Sequence, residues 1–418
     1  MVDFPKYESY KDSGVEWLGE IPSSWEVKRL KFLGNIKTGE KDTVNSVDDG
    51  EYPFFVRSQT VERIDTYSHD EEAVLTAGDG VGVGKVFHYI NGKFDYHQRV
   101  YKVSKFREIL GKYLFYYMKS FLYEEVIKLS AKSTVDSLRL PMFLNFPIIC
   151  GEIEVQQRIV KFLDRKTAEI DQAIAQKQRL IELLQEQKAI LINQAVTKGL
   201  DPNVPMCDSR INWIGEIPSN WILKAIKHIS FVNPSGNRAQ KEEQVTFLPM
   251  EAVLANGQYD VSRVDIRKAF PASLTEFNQG DVLLAKITPC FENGKSAFLE
   301  ELPTQKGIGS TEFHVFRVDK KQLTPKFLYY AIYNEAFRTY AQAFMEGTAG
   351  QKRITTPFIS NTKIPVPSIE EQNRIVKFIE RQTSETDQAI AHEQRFIKLL
   401  QEQKTIFISQ AIAGKLKV

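Results

Sequence analysis

Cysteine is scarce in this chain: Cys150, Cys207 and Cys290 are the only three among 418 residues, and they lack metal-ligand spacing. An odd, scattered set excludes a disulfide framework and fits a reducing compartment. Charge of one sign is also lacking. Lysine and arginine number 55 against 53 aspartates and glutamates, a formal net charge of +2. That balance neither announces nor excludes a polyanionic ligand. No apolar run approaches the length of a bilayer span, and the N-terminal MVDFPKYESYKDSG has no basic segment leading into an apolar one. The chain reads as cytoplasmic, with no membrane among its partners.

Catalytic signatures are missing as well. Gly84-Lys85 invites a phosphate-loop reading, but the position five before it is Asp79 and the residue after it is Val86, where a Walker loop needs glycine and a hydroxyl. Gly80, Gly82 and Gly84 do not have dinucleotide-fingerprint spacing. His69, His88, His97, His228, His314 and His392 form no paired metal-ligand pattern. No Asn-Pro-Pro-aromatic run of the amino-methyltransferase kind occurs. The expectation is a chain that catalyses nothing alone and binds neither a metal nor a cofactor.

What the chain has instead is repetition. Residues 154–196 (EVQQRIVKFLDRKTAEIDQAIAQKQRLIELLQEQKAILINQAV) return as residues 370–412 (EEQNRIVKFIERQTSETDQAIAHEQRFIKLLQEQKTIFISQAI), with about 28 of roughly 43 positions identical. Neither copy contains glycine or proline, so each reads as one helix of roughly 64 Å at 1.5 Å per residue. Apolar residues at steps of three and four give a coiled-coil seam: Leu163, Ile170, Leu180, Leu184 and Leu191 in the first copy, and Ile379, Leu400 and Phe407 in the second. The expected partner of each helix is the other copy.

A second repeat precedes each helix region. Trp17, Gly19, Glu20, Ile21, Pro22 and Trp25 match Trp213, Gly215, Glu216, Ile217, Pro218 and Trp221. These blocks hold all four tryptophans and read as anchors at the entry of a domain. The division that follows is 1–150 for an N-terminal segment and first globular domain, 151–199 for a long helix, 200–210 for a linker, 211–366 for a second globular domain and 367–418 for a second long helix. Strands are expected at 52–56, 73–76, 85–90 and 99–103. Hairpin turns are expected at Asn91-Gly92, Asn256-Gly257 and Asn293-Gly294. One amphipathic helix per domain is expected, at 112–129 and 326–344.

The two globular stretches share a plan but not their loops, the layout of one scaffold presenting two specificities. Four loop pairs carry the polar and basic side chains that meet phosphates and base edges. Arg57 and Gln59 correspond roughly to Asn237 and Arg238. The stretch from Thr76 to Lys85 corresponds to that from Lys286 through Thr288 and Asn293 to Lys295. His97, Gln98 and Arg99 correspond to Thr311 and His314. Lys132, Ser133, Thr134 and Arg139 correspond to Thr348, Gln351, Lys352 and Arg353. A different class of reading, a coiled-coil adaptor whose two heads bind proteins, suits divergent loops equally well at this level.

The doubled blocks SGVEWLGEIPSSW and INWIGEIPSNW, each followed by a globular region and then by EVQQRIVKFLD or EEQNRIVKFIE, resemble the specificity subunit (HsdS) of type I restriction-modification systems. The resemblance spans almost the whole chain. It implies an α/β fold with two pseudo-symmetric target-recognition domains separated by two long antiparallel helices forming a coiled coil. It implies that each domain reads one half of a split, asymmetric site in double-stranded DNA. It further implies a non-catalytic chain inside a complex, with two methyltransferase subunits that use S-adenosylmethionine and restriction subunits that consume ATP with magnesium. Half-sites of about three to five base pairs and a gap of roughly five to eight then follow from helix length against a B-DNA turn.

Overall fold

In a computed structural model, residues 5–130, 137–235, 239–348 and 350–418 are described. The chain divides into two units, residues 1–178 with 394–418, and residues 179–393. Each is a mixed α/β body carrying part of both long helices. Among the described residues no helix is long and apolar enough to cross a membrane, and no cluster of His, Cys, Asp and Glu could hold a metal ion.

Unit 1 is built on a six-stranded sheet. Its strands are β1 (Asn35–Thr38), β2 (Tyr52–Phe55), β3 (Glu62–Ile64), β4 (His69–Ala77), β5 (Phe87–Tyr96) and β6 (Val100–Ser104), in the order β1-β6-β4-β5-β2-β3. Only β2 and β5 pair in parallel. The helix α1 (Gly111–Ser130) covers one face. Its Tyr113, Tyr117, Met118 and Leu122 join Val74, Phe87 and Val103 in one buried cluster. The Tyr113 and Tyr117 hydroxyls donate to the carbonyls of Ile149 and Pro147, each at 3.0 Å, so the apolar bodies are buried without orphaning the polar tips.

Asn91-Gly92 does not turn. Both residues lie inside β5, opposite Glu72 and Glu71 of β4. The strand runs on because Phe94 and Tyr96 beyond it are buried, and that burial outweighs a local turn preference.

Unit 2 repeats the plan with the sheet split. β7 (Ser230–Val232), β11 (Val282–Ala285), β12 (Ser296–Phe298) and β14 (Phe313–Val318) form one sheet, ordered β7-β14-β11-β12; β8 (Gln244–Leu248), β9 (Val264–Ile266), β10 (Thr275–Asn278) and β13 (Lys306–Gly309) form another, ordered β9-β8-β13-β10. By order and pairing, β12 and β13 stand where unit 1 has the single β5. Asn256-Gly257 and Asn293-Gly294 do lie in turns. Only the glycines have positive φ, +84° and +75°, so neither is a two-residue hairpin of the expected type.

The single helix expected at 326–344 is two, α3 (Pro325–Tyr333) and α4 (Glu335–Gln342). Asn334 between them is extended at ψ 131°, and its side chain accepts from the Ala336 amide at 2.9 Å. The same amide group donates to Asn193 at 2.7 Å. An asparagine that caps one helix and bonds a neighbouring one is better satisfied at a break than in a helix interior.

The repeated segments are the helices α2 (Ile153–Lys198, 46 residues) and α5 (Ile369–Ile412, 44 residues). In unit 1, α2 and α5 run antiparallel. Phe162 meets Phe407 with ring centroids 6.5 Å apart, and Lys404 donates to both oxygens of Asp171 at 2.7 and 2.6 Å. In unit 2 the repeat-related pair, Lys188 and Asp387, makes the same contact at 2.6 and 2.7 Å.

The seam follows the expected phase except at Leu180. Leu163 and Ile379 are fully buried and Ile170 nearly so, while Leu184, Leu191, Leu400 and Phe407 are half-buried. Leu180, however, is 39% exposed, and the neighbouring Ile181 is buried at 3%. Counting from Leu163 in alternating steps of four and three gives Thr167, Ile170, Ile174, Lys177, Ile181, Leu184, Lys188 and Leu191, all wholly or partly buried. Polar residues, Thr167, Lys177 and Lys188, occupy three of these positions. Ile181→Ala is expected to destabilise unit 2 by about 2–4 kcal/mol, whereas Leu180→Ala should stay within about 0.5 kcal/mol. Chemical denaturation of both variants checks the phase.

Candidate nucleic-acid interface

Sheet topology gathers the loops at one edge of each unit. In unit 1 the loop after β4 reaches its neighbours through backbone bonds: the Gly78 amide donates to the Arg99 carbonyl at 2.8 Å and the Leu138 amide to the Gly78 carbonyl at 2.9 Å. Side chains complete the cluster. Asp79 accepts from Arg57 on one oxygen and from Arg99 on the other, both at 2.9 Å. Gln98 donates to Asp42 at 2.5 Å. The Thr43 amide, with lesser help from Gln98 and nearby positive groups, holds the Asp42 carboxyl below its usual range. All four sequence-distant loops of the first set therefore meet. Arg99, Gln98, Lys85 and Arg139 are exposed, and Lys85 rests its ammonium 5.3 Å from the Tyr123 ring centre. Gln59 spends one bond of 3.4 Å on the Phe87 carbonyl.

Unit 2 gathers three counterpart loops with matching backbone bonds but different side chains. The Lys286 amide donates to the Glu312 carbonyl at 2.8 Å, the Thr288 amide to the Lys352 carbonyl at 2.9 Å, and the Ile354 amide to the Lys286 carbonyl at 2.8 Å. Arg353 grips Glu312 with two nitrogens, Nε and Nη2, each at 3.0 Å; that grip holds the Glu312 carboxyl below its usual range. The Thr288 hydroxyl bridges the Gly350 carbonyl and the Lys352 amide. Lys295 donates to the Met250 carbonyl at 2.9 Å. Asn293, Thr311, Thr348, Gln351 and Lys352 are exposed and Lys286 is half-buried.

Three expected contact residues are not available to a ligand. Thr76 lies wholly buried within β4, because its side chain points to the covered face of the pleat. His97 is 2% exposed, and its Nδ1 accepts from the Arg99 amide at 2.9 Å; the ring shapes the loop that carries Arg99. His314 is 1% exposed, with Nε2 2.9 Å from the Ile354 carbonyl and Nδ1 3.2 Å from the Asn233 amide. Lys132, Ser133, Thr134, Asn237 and Arg238 lie outside the described residues.

Burial pushes the His314 pKa down to about 4, despite the hydrogen bond to Ile354. An unfolded histidine binds its proton near pH 6.5. Between these values the unfolded chain holds more protons than the folded one, so acid favours unfolding. Unit 2 is expected to lose up to about 3 kcal/mol as pH falls from 6.5 to 4. Melting curves of the chain and of His314→Gln across that window check it, the variant having the flatter dependence.

Sequence reasoning passed over Asp79, Glu312, Asp42 and Asn233. Carboxylates look unsuited to an anionic ligand until their arginine partners are placed. Asp79 did stand out, but only as the residue that spoils a phosphate loop.

Comparison with known proteins bears on the chain as a whole. The family described as the type I restriction modification DNA specificity domain matches residues 22–183 and 270–398. The EcoAI type I restriction enzyme specificity subunit of Escherichia coli is 30% identical over 202 residues, 47% of this chain and 33% of that protein. The chain spans about a third of the length of the Escherichia coli relatives it matches at that level. The MjaVIII type I restriction enzyme specificity subunit of Methanocaldococcus jannaschii is 25% identical and aligns over 100% of this chain and 98% of its own. Among solved structures, a chain from a study of complex assembly and conformational transition in the type I R-M system superposes with a TM-score of 0.70 at 14% identity, covering 95% of this chain and 99% of that one. The HsdS subunit from Thermoanaerobacter tengcongensis gives 0.51 at 14% identity, covering 95% and 98%. At such identities the likeness is one of fold.

Proposed function

The chain belongs to the family of type I restriction-modification DNA specificity domains, and from that membership we propose that it is a non-catalytic specificity subunit whose two units each read one half of a bipartite, asymmetric DNA site. The long helices set the number of unread base pairs between the halves. The observation that carries this reading is that three loops of unit 2 are gathered by the same backbone bonds as their counterparts in unit 1, with different side chains on them. Corresponding frames with unlike tips suit two unlike half-sites. In unit 1 the contact set is Arg57, Gln59, Lys85, Gln98, Arg99 and Arg139. In unit 2 it is Lys286, Asn293, Thr311, Thr348, Gln351 and Lys352.

Two methyltransferase subunits are the partners, and S-adenosylmethionine, ATP and magnesium belong to partner subunits. Exposed apolar side chains support a pair of equivalent docking positions. Leu180, Leu183 and Ile190 on α2 are 39%, 45% and 50% exposed, and their repeat counterparts Phe396, Leu399 and Ile406 on α5 are 40%, 52% and 51% exposed. A repeated apolar stripe outside the seam is what two copies of one partner would cover. Mapping methylated adenines in the host genome, with and without this gene, tests the function. One gapped motif that vanishes on deletion is expected; a motif that persists unchanged would refute it.

A further inference from the structure

We propose that Arg57 and Arg99 are the guanine-reading side chains of unit 1, and that Asp79 is the positioning residue that aims them. The proposal rests on the function given above and names the chemistry of one half-site. Asp79 receives a single nitrogen, Nη1, from each arginine, one on each carboxylate oxygen. Among the described residues neither guanidinium has another hydrogen-bond partner. Each therefore keeps Nε and Nη2, two parallel donors, for an outside acceptor. That is the fork which matches O6 and N7 of guanine in the major groove.

A phosphate contact needs no such arrangement. It tolerates a mobile cation and is weakened by a carboxylate held beside it. A guanine contact gains from both features. Fixing the fork beforehand removes the entropy lost on binding, and the carboxylate next to it faces a base pair whose cytosine presents an amino donor.

The backbone is built to hold this geometry. Gly80 has φ +73°, and a Cβ on Gly82 would stand 2.7 Å from the Arg57 carbonyl, so only glycine lets the loop close against the segment that carries Arg57. The Val83 amide donates to the Gly80 carbonyl at 3.1 Å and locks the tip. At that tip Val81 is 87% exposed. A valine held in water by a rigid turn beside two donor forks offers an apolar surface of the size that meets a thymine methyl.

Unit 2 shows what the other use of arginine looks like. Arg353 gives Nε and Nη2 to Glu312, so its fork is already filled and it acts as a strut between two loops. The assignment is therefore specific to unit 1.

The test uses the full chain in its host, with the adenine-methylation motif as the readout. Arg57→Lys and Arg99→Lys each keep the charge and remove the fork. Each is expected to make one G·C position degenerate, at least tenfold in relative methylation, within the same half of the motif. Asp79→Asn should relax both positions while raising the affinity of the purified chain for a random-sequence duplex, because a negative charge is gone. A merely structural role would lower both together. A half-site without any G·C pair, or lysine variants that lower methylation uniformly with every letter of the motif intact, would overturn the proposal. If Asp79→Asn abolishes methylation, the lysine variants decide, since they leave the loop backbone bonds in place. Absence of any gapped motif with the wild-type chain would sink the function itself, a result distinct from an unchanged guanine preference.

Discussion

Gln372→Leu is expected to destabilise unit 2 by about 3–6 kcal/mol, most of the margin of an ordinary domain. The Gln372 side chain is fully buried at the start of α5. It accepts from the Thr324 amide at 2.8 Å and donates to the carbonyls of Gln322 and Pro367 at 2.9 and 3.0 Å. One amide thereby ties the helix start to the turn that opens α3. Leucine fills similar space and leaves three backbone groups without partners, each costing about 1–3 kcal/mol when buried. The repeat counterpart behaves alike. Gln156 accepts from the Leu110 amide at 2.9 Å and donates to Glu108 and Gly151 at 3.0 and 2.9 Å. Gln156→Leu should therefore cost unit 1 a similar amount. The adjacent Gln157 is exposed, and Gln157→Leu should change stability by less than about 0.5 kcal/mol. Denaturation of the three variants, followed by hydrogen exchange at α1 and α3, separates the two units.

Charging the apolar stripes is expected to remove the partner subunits while leaving the fold intact. Leu183→Glu with Ile190→Glu alters α2 alone, and Leu399→Glu with Ile406→Glu alters α5 alone. All four side chains are about half exposed, so the folded chain should lose no more than about 1 kcal/mol. In a docked interface the same changes bury carboxylates against an apolar surface, and binding at that stripe should weaken by at least about 100-fold. Native mass spectrometry of the chain co-expressed with its methyltransferase subunit reads the stoichiometry. One altered stripe should leave one partner bound and two should leave none. Retention of two partners with both stripes charged would place the docking surface elsewhere.

The sequence displayed the largest features because they are periodic or repeated. Two copies of a helix without glycine or proline, two tryptophan blocks and two sets of loops are visible as text; four of the paired loops meet in unit 1 and three in unit 2. The finer misses share a cause, namely that burial depends on neighbours distant in the chain. Leu180 and Ile181 are adjacent and equally apolar, so spacing alone cannot choose between them when Thr167, Lys177 and Lys188 occupy other seam positions. Asn91-Gly92 has turn chemistry, yet Phe94 and Tyr96 carry the strand past it into a core. His97, His314 and Thr76 have the side chains of a reader, but all three are buried. Asp79 and Glu312 carry the wrong sign for DNA, and only coordinates reveal that they hold arginines.

The most direct test changes one unit at a time and reads the methylated motif base by base. The chain with Lys286→Ala, Asn293→Ala and Lys352→Ala, all on the loops of unit 2, is compared with the wild type in the same host. The expected result is a motif with one half altered and the other half and the gap length preserved. Simultaneous change in both halves, or a motif unaffected by these loops, would contradict the assignment of one half-site to each unit.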